Sequence, residues 1–431
     1  MKEKLLYYIW QFQVPEMNAI CCTVGKKIEV ISCGEPNKNQ GPDFIHATIK
    51  YDNTIWVGQI EIHVFSSDWF RHQHQVDPNY NNVILHVVWE HDIKQELSFP
   101  TIELKQYVSA QFLDLYQKLM QEQGFIACAN KFTSSRTIVL SKWLETMMAE
   151  RMISKAKVIL DELANTLNHW EEVCWRMICR GFGGKVNGEA FYQLSKSLPW
   201  SLLRKYRSDR MVVEALFMGQ MKLIPEESDE VYWRNLRISY THVQKKHKLI
   251  PVTNRLHFLR MRPAAFPTIR LSQLAAFVHA HESMMSDVMK MSIENNQFTF
   301  FDLEATSYWD NHFMAGRLSA NAHKKIAGNQ FQIQMIVNVV VPMIFAFGWH
   351  HHDEKFKSTA MRLLEQLPPE NNQVIRGFET FGIGIKTAFD TQSLLQLKSA
   401  YCDRKKCLDC AIGNELLGVE QRLSNGQPSA N

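Results

Sequence analysis

Two textures of hydrophobic patterning divide the chain. Over the first hundred residues, apolar and β-branched positions fall in short runs closed by turn residues, which predicts strands. A helix over residues 3–13 comes first. The runs "KKIEVIS", "HATIKYD" and "TIWVGQIEIHVF" follow as three strands, with a polar loop "GEPNKNQGPDF" after the first. Asp52-Asn53 joins the second and third strands and has the residue types of a tight hairpin. A His-rich crossover, "SSDWFRHQHQVDPNYNN", leads to a fourth strand, "VILHVVWEH".

From about Ser109 the period changes. Stretches such as "AQFLDLYQKLMQEQ" and "RTIVLSKWLETMMAERMISKAKVILDELANTLNHW" repeat apolar residues every three or four positions, as amphipathic helices do. The expected architecture is α+β: an αβββαβ domain over residues 1–105, a large mostly α-helical domain over 106–420, and a disordered tail over 421–431. The most apolar window, "FQIQMIVNVVVPMIFAFGWHHH", contains Gln332, Gln334, Asn338 and Pro342, so it predicts a buried helix rather than a membrane span.

Composition changes this picture little. The 431 residues carry 48 Lys and Arg against 44 Asp and Glu, a net charge of +4 that permits a nucleic-acid partner without demanding one. The basic stretch runs from His242 to Arg270 through Lys245, Lys246, Lys248, Arg255, Arg260 and Arg262. Nine cysteines and no export signal predict a reducing cytoplasmic location and no membrane association.

The first domain holds the candidate chemistry. Asp43 stands where the polar loop meets the second strand. Glu61 and His63 lie two apart on the third strand and share a face, while Ile60, Ile62 and Val64 take the other. Adjacent strands are about 4.8 Å apart, so the hairpin can bring Asp43 near Glu61. Two carboxylates at one sheet edge repel unless a hard cation lies between them, and Mg²⁺ or Mn²⁺ suits such a pair.

Pro42-Asp43, a hairpin and then Glu61-Ile62-His63 resemble the PD-(D/E)XK nuclease superfamily. The resemblance implies metal binding by Asp43, Glu61 and the backbone carbonyl of Ile62, with a helix-borne acid at Glu3. It also implies a catalytic trio of Asp43, Glu61 and His63. The final position holds His63 where the superfamily has Lys, so the imidazole must position or deprotonate water, or the site binds without cutting. Several further stretches, among them "LLYYIWQFQ", "GPDF", "RPAAFPTIRLSQLA" and "YCDRKKCLDCAIGNELL", resemble a bacterial domain-of-unknown-function family, number 2851.

Three other groups of residues enter as candidates. Asp68, His72, His74 and Asp77 of the crossover line a nucleic-acid cleft in one reading, and in another His72 and His74 with the following Asp77 hold zinc for a hydrolase. Cys402-x4-Cys407-x2-Cys410, with Cys128 as fourth ligand, has the spacing of a Zn²⁺ site or a plant-type iron–sulfur run. Arg262 and Arg270 flank two prolines and are candidates for gripping phosphate. The expected activity is Mg²⁺-dependent hydrolysis of DNA or RNA. The alternatives are a non-catalytic nucleic-acid-binding or scaffold protein on a degenerate nuclease fold, and a zinc hydrolase built on His72 and His74.

Overall fold

Strand alternation and turn chemistry build the first part of the molecule. Residues 2–12, 14, 20–37, 39–129, 132, 137–259, 261–290, 300–319 and 321–418 are described by the computed structural model; Arg260 and the expected tail at 421–431 lie outside them. The chain divides into two compact units. One comprises Met1–Glu145, Arg376–Ile383 and Leu395–Asn431; the other comprises Thr146–Ile375 and Gly384–Leu394. The expected first domain ended at residue 105, whereas the first compact unit also takes in the next forty residues and two late segments.

In the first unit, helix α1 (Glu3–Gln11) precedes seven strands: β1 (Ile20–Cys21), β2 (Lys27–Ser32), β3 (Glu35–Pro36), β4 (Phe44–Tyr51), β5 (Thr54–Phe65), β6 (Val83–Glu90) and β7 (Thr101–Glu103). The spatial order is β1-β2-β4-β5-β6-β7, with β3 paired to β4. The β4–β5 pairing is antiparallel, closed by Asp52 and Asn53 at φ of 52° and 61°, the left-handed pair that a two-residue hairpin requires. β5 and β6 are parallel, as are β6 and β7. Between β5 and β6 the chain crosses through α2 (Asp68–Arg71) and two 3₁₀ turns, His74–Val76 and Pro78–Tyr80. α3 (Ala110–Gln121) follows the sheet, capped by the Ser109 hydroxyl, which accepts from Phe112 N–H at 3.2 Å.

α1 packs on β5 with Leu5, Leu6, Ile9 and Trp10 buried, and Trp10 Nε1 donates to Cys33 O at 3.0 Å. Ile28, Ile49, Ile60, Ile62, Leu85 and Val87 fill the same core, which is the apolar face that the alternation of β5 predicts.

The second unit is helical around an apolar core of its own. Its Asn329–His350 stretch is one continuous helix of 22 residues, long and apolar enough to cross a membrane, but 78% of its apolar window is buried in the fold. A π turn over Ile336–Val340 immediately precedes Pro342, where the missing N–H makes a regular α-ladder unattainable.

Candidate metal centre on the sheet face

Two irregularities aim the polar face of β5. The β4–β5 register slips between Phe44 and Ala47, with His46 at φ 58°, and the β5–β6 register slips between Gln59 and Ile60. Bulges of this kind turn side chains toward a common point. Gly58 permits the second slip, because a Cβ there would lie 2.5 Å from Asn82 O.

Asp43 and Glu61 meet across the hairpin. Asp43 N–H donates to Glu61 Oε2 at 3.2 Å, and Ile62 N–H donates to Asp43 Oδ2 at 2.9 Å. Tyr7 of α1 donates its hydroxyl to Asp43 Oδ1 at 2.6 Å. Both Asp43 oxygens are therefore engaged by the protein. Glu61 Oε1 instead faces imidazoles, 3.4 Å from His63 Nε2 and 3.3 Å from His74 Nε2.

His63 sits at the centre of a histidine cluster. Its Nδ1 is 2.9 Å from His86 Nε2, and its Nε2 is 3.2 Å from His72 Nδ1. One ring nitrogen from each of His63, His72 and His74 falls within 4.8 Å of the other two. His63 is buried, His74 half-buried and His72 exposed, so the cluster opens to solvent on one side. His74 stacks on Tyr80 with ring centroids 3.8 Å apart, and its buried Nε2 has no hydrogen-bond partner among the described residues.

Electrostatics in this face are unfavourable for charge. Burial, then the charge of Asp43, pushes Glu61 up to about 9. Burial likewise lifts Asp43 to about 6, against the pull of Tyr7 and Ile62; the charge of half-buried Glu3 on α1 adds to both shifts. His63 is driven down to about 2 by burial and then by His86, His74 and His72, and His86 falls to about 3 mainly through burial. Neutral imidazoles beside a carboxylate that is costly to ionise form a donor set that a cation would complete. Three imidazole nitrogens, two of them beside Glu61 Oε1, fit a borderline metal such as Zn²⁺ or Mn²⁺ better than Mg²⁺, which favours oxygen ligands.

The other candidates are placed as follows. Asp68 is buried, accepts from Phe65 N–H at 3.1 Å and pairs with Arg71 at 2.5 Å; Asp77 caps the Pro78–Tyr80 turn. Neither joins the cluster. Ile62 engages Asp43 through its N–H, with its side chain in the core. In the second unit, Arg270 lays its guanidinium 3.6 Å over the Phe331 ring and donates to Gln273 at 2.8 Å, while Arg262 is exposed. Cys128, Cys402, Cys407 and Cys410 all belong to the first unit.

The sequence alone sets His72 and His74 in the same cleft as Asp43 and Glu61, as phosphate contacts or supporting groups, but does not join them to His63 as ligands, and it does not single out Tyr7, Trp69 or Tyr80. The His-x-His spacing of the crossover and the His86 alternation on β6 were the available signals. What they lacked was the parallel register that sets Glu61 beside His86.

The family described as protein of unknown function (DUF2851) matches residues 3–373. The chain belongs to that family. No curated protein and no solved structure matches it.

Proposed function

We propose that this member of a family of unknown function is a metal-dependent phosphodiesterase, a nuclease acting through Glu61, His63, His72 and His74 with Asp43 in support. The observation that carries the reading is the grouping of the three imidazoles, with Glu61 Oε1 within 3.4 Å of His63 Nε2 and of His74 Nε2. It keeps the Asp43–Glu61 pair of the PD-(D/E)XK resemblance and gives the histidine in the lysine's place a role as ligand. Zn²⁺ or Mn²⁺ replaces the Mg²⁺ expected from the carboxylates alone.

When bound, the cation supplies Lewis acidity toward a phosphoryl oxygen and toward water. The chain's own groups do the rest. His63 would hold the cation through Nε2, and its ring proton would then sit on Nδ1 and be donated to His86 Nε2, 2.9 Å away, fixing the ring. Asp43, held by Tyr7 and Ile62, presents its backbone N–H to Glu61 and sets that carboxylate's direction. Arg71, paired with Asp68 but largely exposed, would offer its remaining guanidinium nitrogens to a phosphate.

A cavity of about 520 Å³ lined by Trp56, Trp69, His74, Tyr80, Asn82 and Phe99 shares His74 with the cluster. Aromatic faces and a side-chain amide are the chemistry that stacks and hydrogen-bonds a nucleobase. This supports a nucleic acid as substrate.

The test is cleavage of mixed single- and double-stranded DNA and RNA by metal-stripped full-length protein reloaded with Mn²⁺, Zn²⁺ or Mg²⁺. Cleavage with Mn²⁺ or Zn²⁺ that falls by at least ~100-fold in Glu61→Ala and His74→Ala is expected. Equal activity in the variants, or none in the loaded wild type, removes the catalytic claim. Metal-dependent binding of nucleic acid without cleavage would favour the non-catalytic alternative.

A further inference from the structure

Four of the nine cysteines gather at one place in the first unit, independently of the histidine cluster. Three come from a late segment. Cys402 ends the π turn Leu397–Cys402, Cys407 opens the 3₁₀ turn Cys407–Asp409, and Cys410 caps the helix Ala411–Leu416. Lys405, at φ 48°, turns the chain between the first two. Cys410 N–H donates to Cys407 O at 3.3 Å, and the final helix closes so tightly on this turn that a Cβ at Gly413 would lie 2.1 Å from Cys407 O.

The fourth comes from the segment after α3. Ala129 N–H donates to Ile126 O at 3.1 Å, so Cys128 lies within a turn. That segment is tied to the late one by contacts independent of the thiols. Lys405 Nζ donates to Met120 O at 2.7 Å, Lys398 Nζ sits 4.9 Å over the Phe125 ring, and Phe125 packs edge-on against Phe378 at 5.1 Å. Leu408 and Leu417 enter the core beneath the sheet.

We propose that Cys128, Cys402, Cys407 and Cys410 hold an iron–sulfur cluster. The late triplet has the C-x4-C-x2-C spacing of the plant-type cluster run, whose fourth cysteine is supplied from elsewhere in the chain. Among the described residues, no three of these thiols have sulfurs that all lie within 4.8 Å of one another, although the three imidazoles meet that spacing. A single tetrahedral Zn²⁺ with bonds near 2.3 Å draws its sulfurs to roughly 3.8 Å, so a larger inorganic core fits the wider set.

The surroundings agree. Burial pushes the Cys128 thiol up to about 12 and Cys407 to about 11, and each of the four has another of them or the Trp143 indole acting on it. Uncompensated thiolates here would repel, whereas iron supplies the opposing charge. Trp143 Nε1 is buried without a hydrogen-bond partner among the described residues and neighbours Cys410, whose sulfur, as a ligand, would be the stronger acceptor. The cluster would fasten the end of the chain to the segment after the sheet.

The test is iron, zinc and acid-labile sulfide analysis, with visible absorption, on full-length protein purified without oxygen and reconstituted with Fe²⁺ and sulfide. Iron and labile sulfide in matching amounts are expected, with a visible absorption band. Both should fall several-fold in Cys407→Ser and in Cys128→Ser and persist in Cys21→Ser and Glu61→Ala. Zinc without labile sulfide overturns the assignment, as does a wild type that takes up neither iron nor sulfide. Circular dichroism of each variant separates loss of the cluster from loss of the fold, and persistence of the cluster in a folded Cys407→Ser also overturns it. Because nothing here reads nucleic-acid cleavage, this result stands apart from that of the proposed nuclease.

Discussion

Each unit buries a glutamate, and the two are treated in opposite ways. Glu214, on the helix Arg210–Gln220 of the second unit, is fully buried with every oxygen engaged by a neutral donor. Its Oε1 accepts from Tyr232 at 2.8 Å and Trp309 Nε1 at 2.9 Å, and its Oε2 accepts from Thr306. Glu61 is nearly as buried, yet only Oε2 receives a hydrogen bond, while Oε1 faces two imidazole nitrogens at more than 3.2 Å. A satisfied buried acid rigidifies a core. A buried carboxylate oxygen that faces neutral imidazoles instead is a donor that a cation would take up.

Substitutions can break this contrast. The largest effect belongs to Glu61→Ala, which removes the carboxylate oxygen that faces His63 and His74. Metal-dependent cleavage should fall by at least ~100-fold while the metal-free protein stays folded. Glu214→Ala should do the reverse. It strands the Tyr232, Trp309 and Thr306 donors and should lower stability by roughly 3 kcal/mol in urea unfolding, at about 1–3 kcal/mol per stranded group with partial relaxation. Metal affinity should not move.

His86 tests whether the histidine beneath His63 positions it. His86→Phe keeps an aromatic ring but removes the nitrogen that lies 2.9 Å from His63 Nδ1. Metal affinity by calorimetric titration should weaken about 10- to 100-fold, the cost of losing a partner that orients a ligand. Unchanged affinity would reduce His86 to packing.

The smallest effect is a pH dependence. Glu61 is raised from 4.5 to about 9, so its protonated form contributes stability that is fully present below 4.5 and is lost as pH rises through 9. Glu61→Gln mimics the protonated form throughout. In metal-free protein its stability should exceed wild type by a margin that grows between pH 5 and pH 9, measured by urea midpoints. The depressed His63 and His86 act in the opposite sense, losing stability as pH falls below 6.5, and are common to both proteins. Asp43, Glu3 and His74 also face the group and are shared.

The sequence carried the long elements well and the convergent ones poorly. β5 runs from Thr54 to Phe65 as its alternation predicts, and the Asp52-Asn53 turn has the backbone its residue types favour. β1, β3 and β7 are two or three residues long, too short to show a period, and each exists only because a partner strand is present. Asp43 and Glu61 were legible as neighbours because one hairpin joins them. His63, His72, His74 and His86 come from strand, crossover and parallel neighbour, and their meeting depends on register that local patterning does not encode. The Glu214 network was equally hidden, since "YWDNHF" shows aromatics without showing which acid they enclose.

The most direct measurement is calorimetric titration of Mn²⁺, which disfavours thiolates, into metal-stripped full-length protein. One site per chain is expected, weakened by at least ~100-fold in both Glu61→Ala and His74→Ala and unchanged in Cys407→Ser and Glu214→Gln. Absence of binding to wild type, or equal binding by Glu61→Ala and wild type, would contradict it.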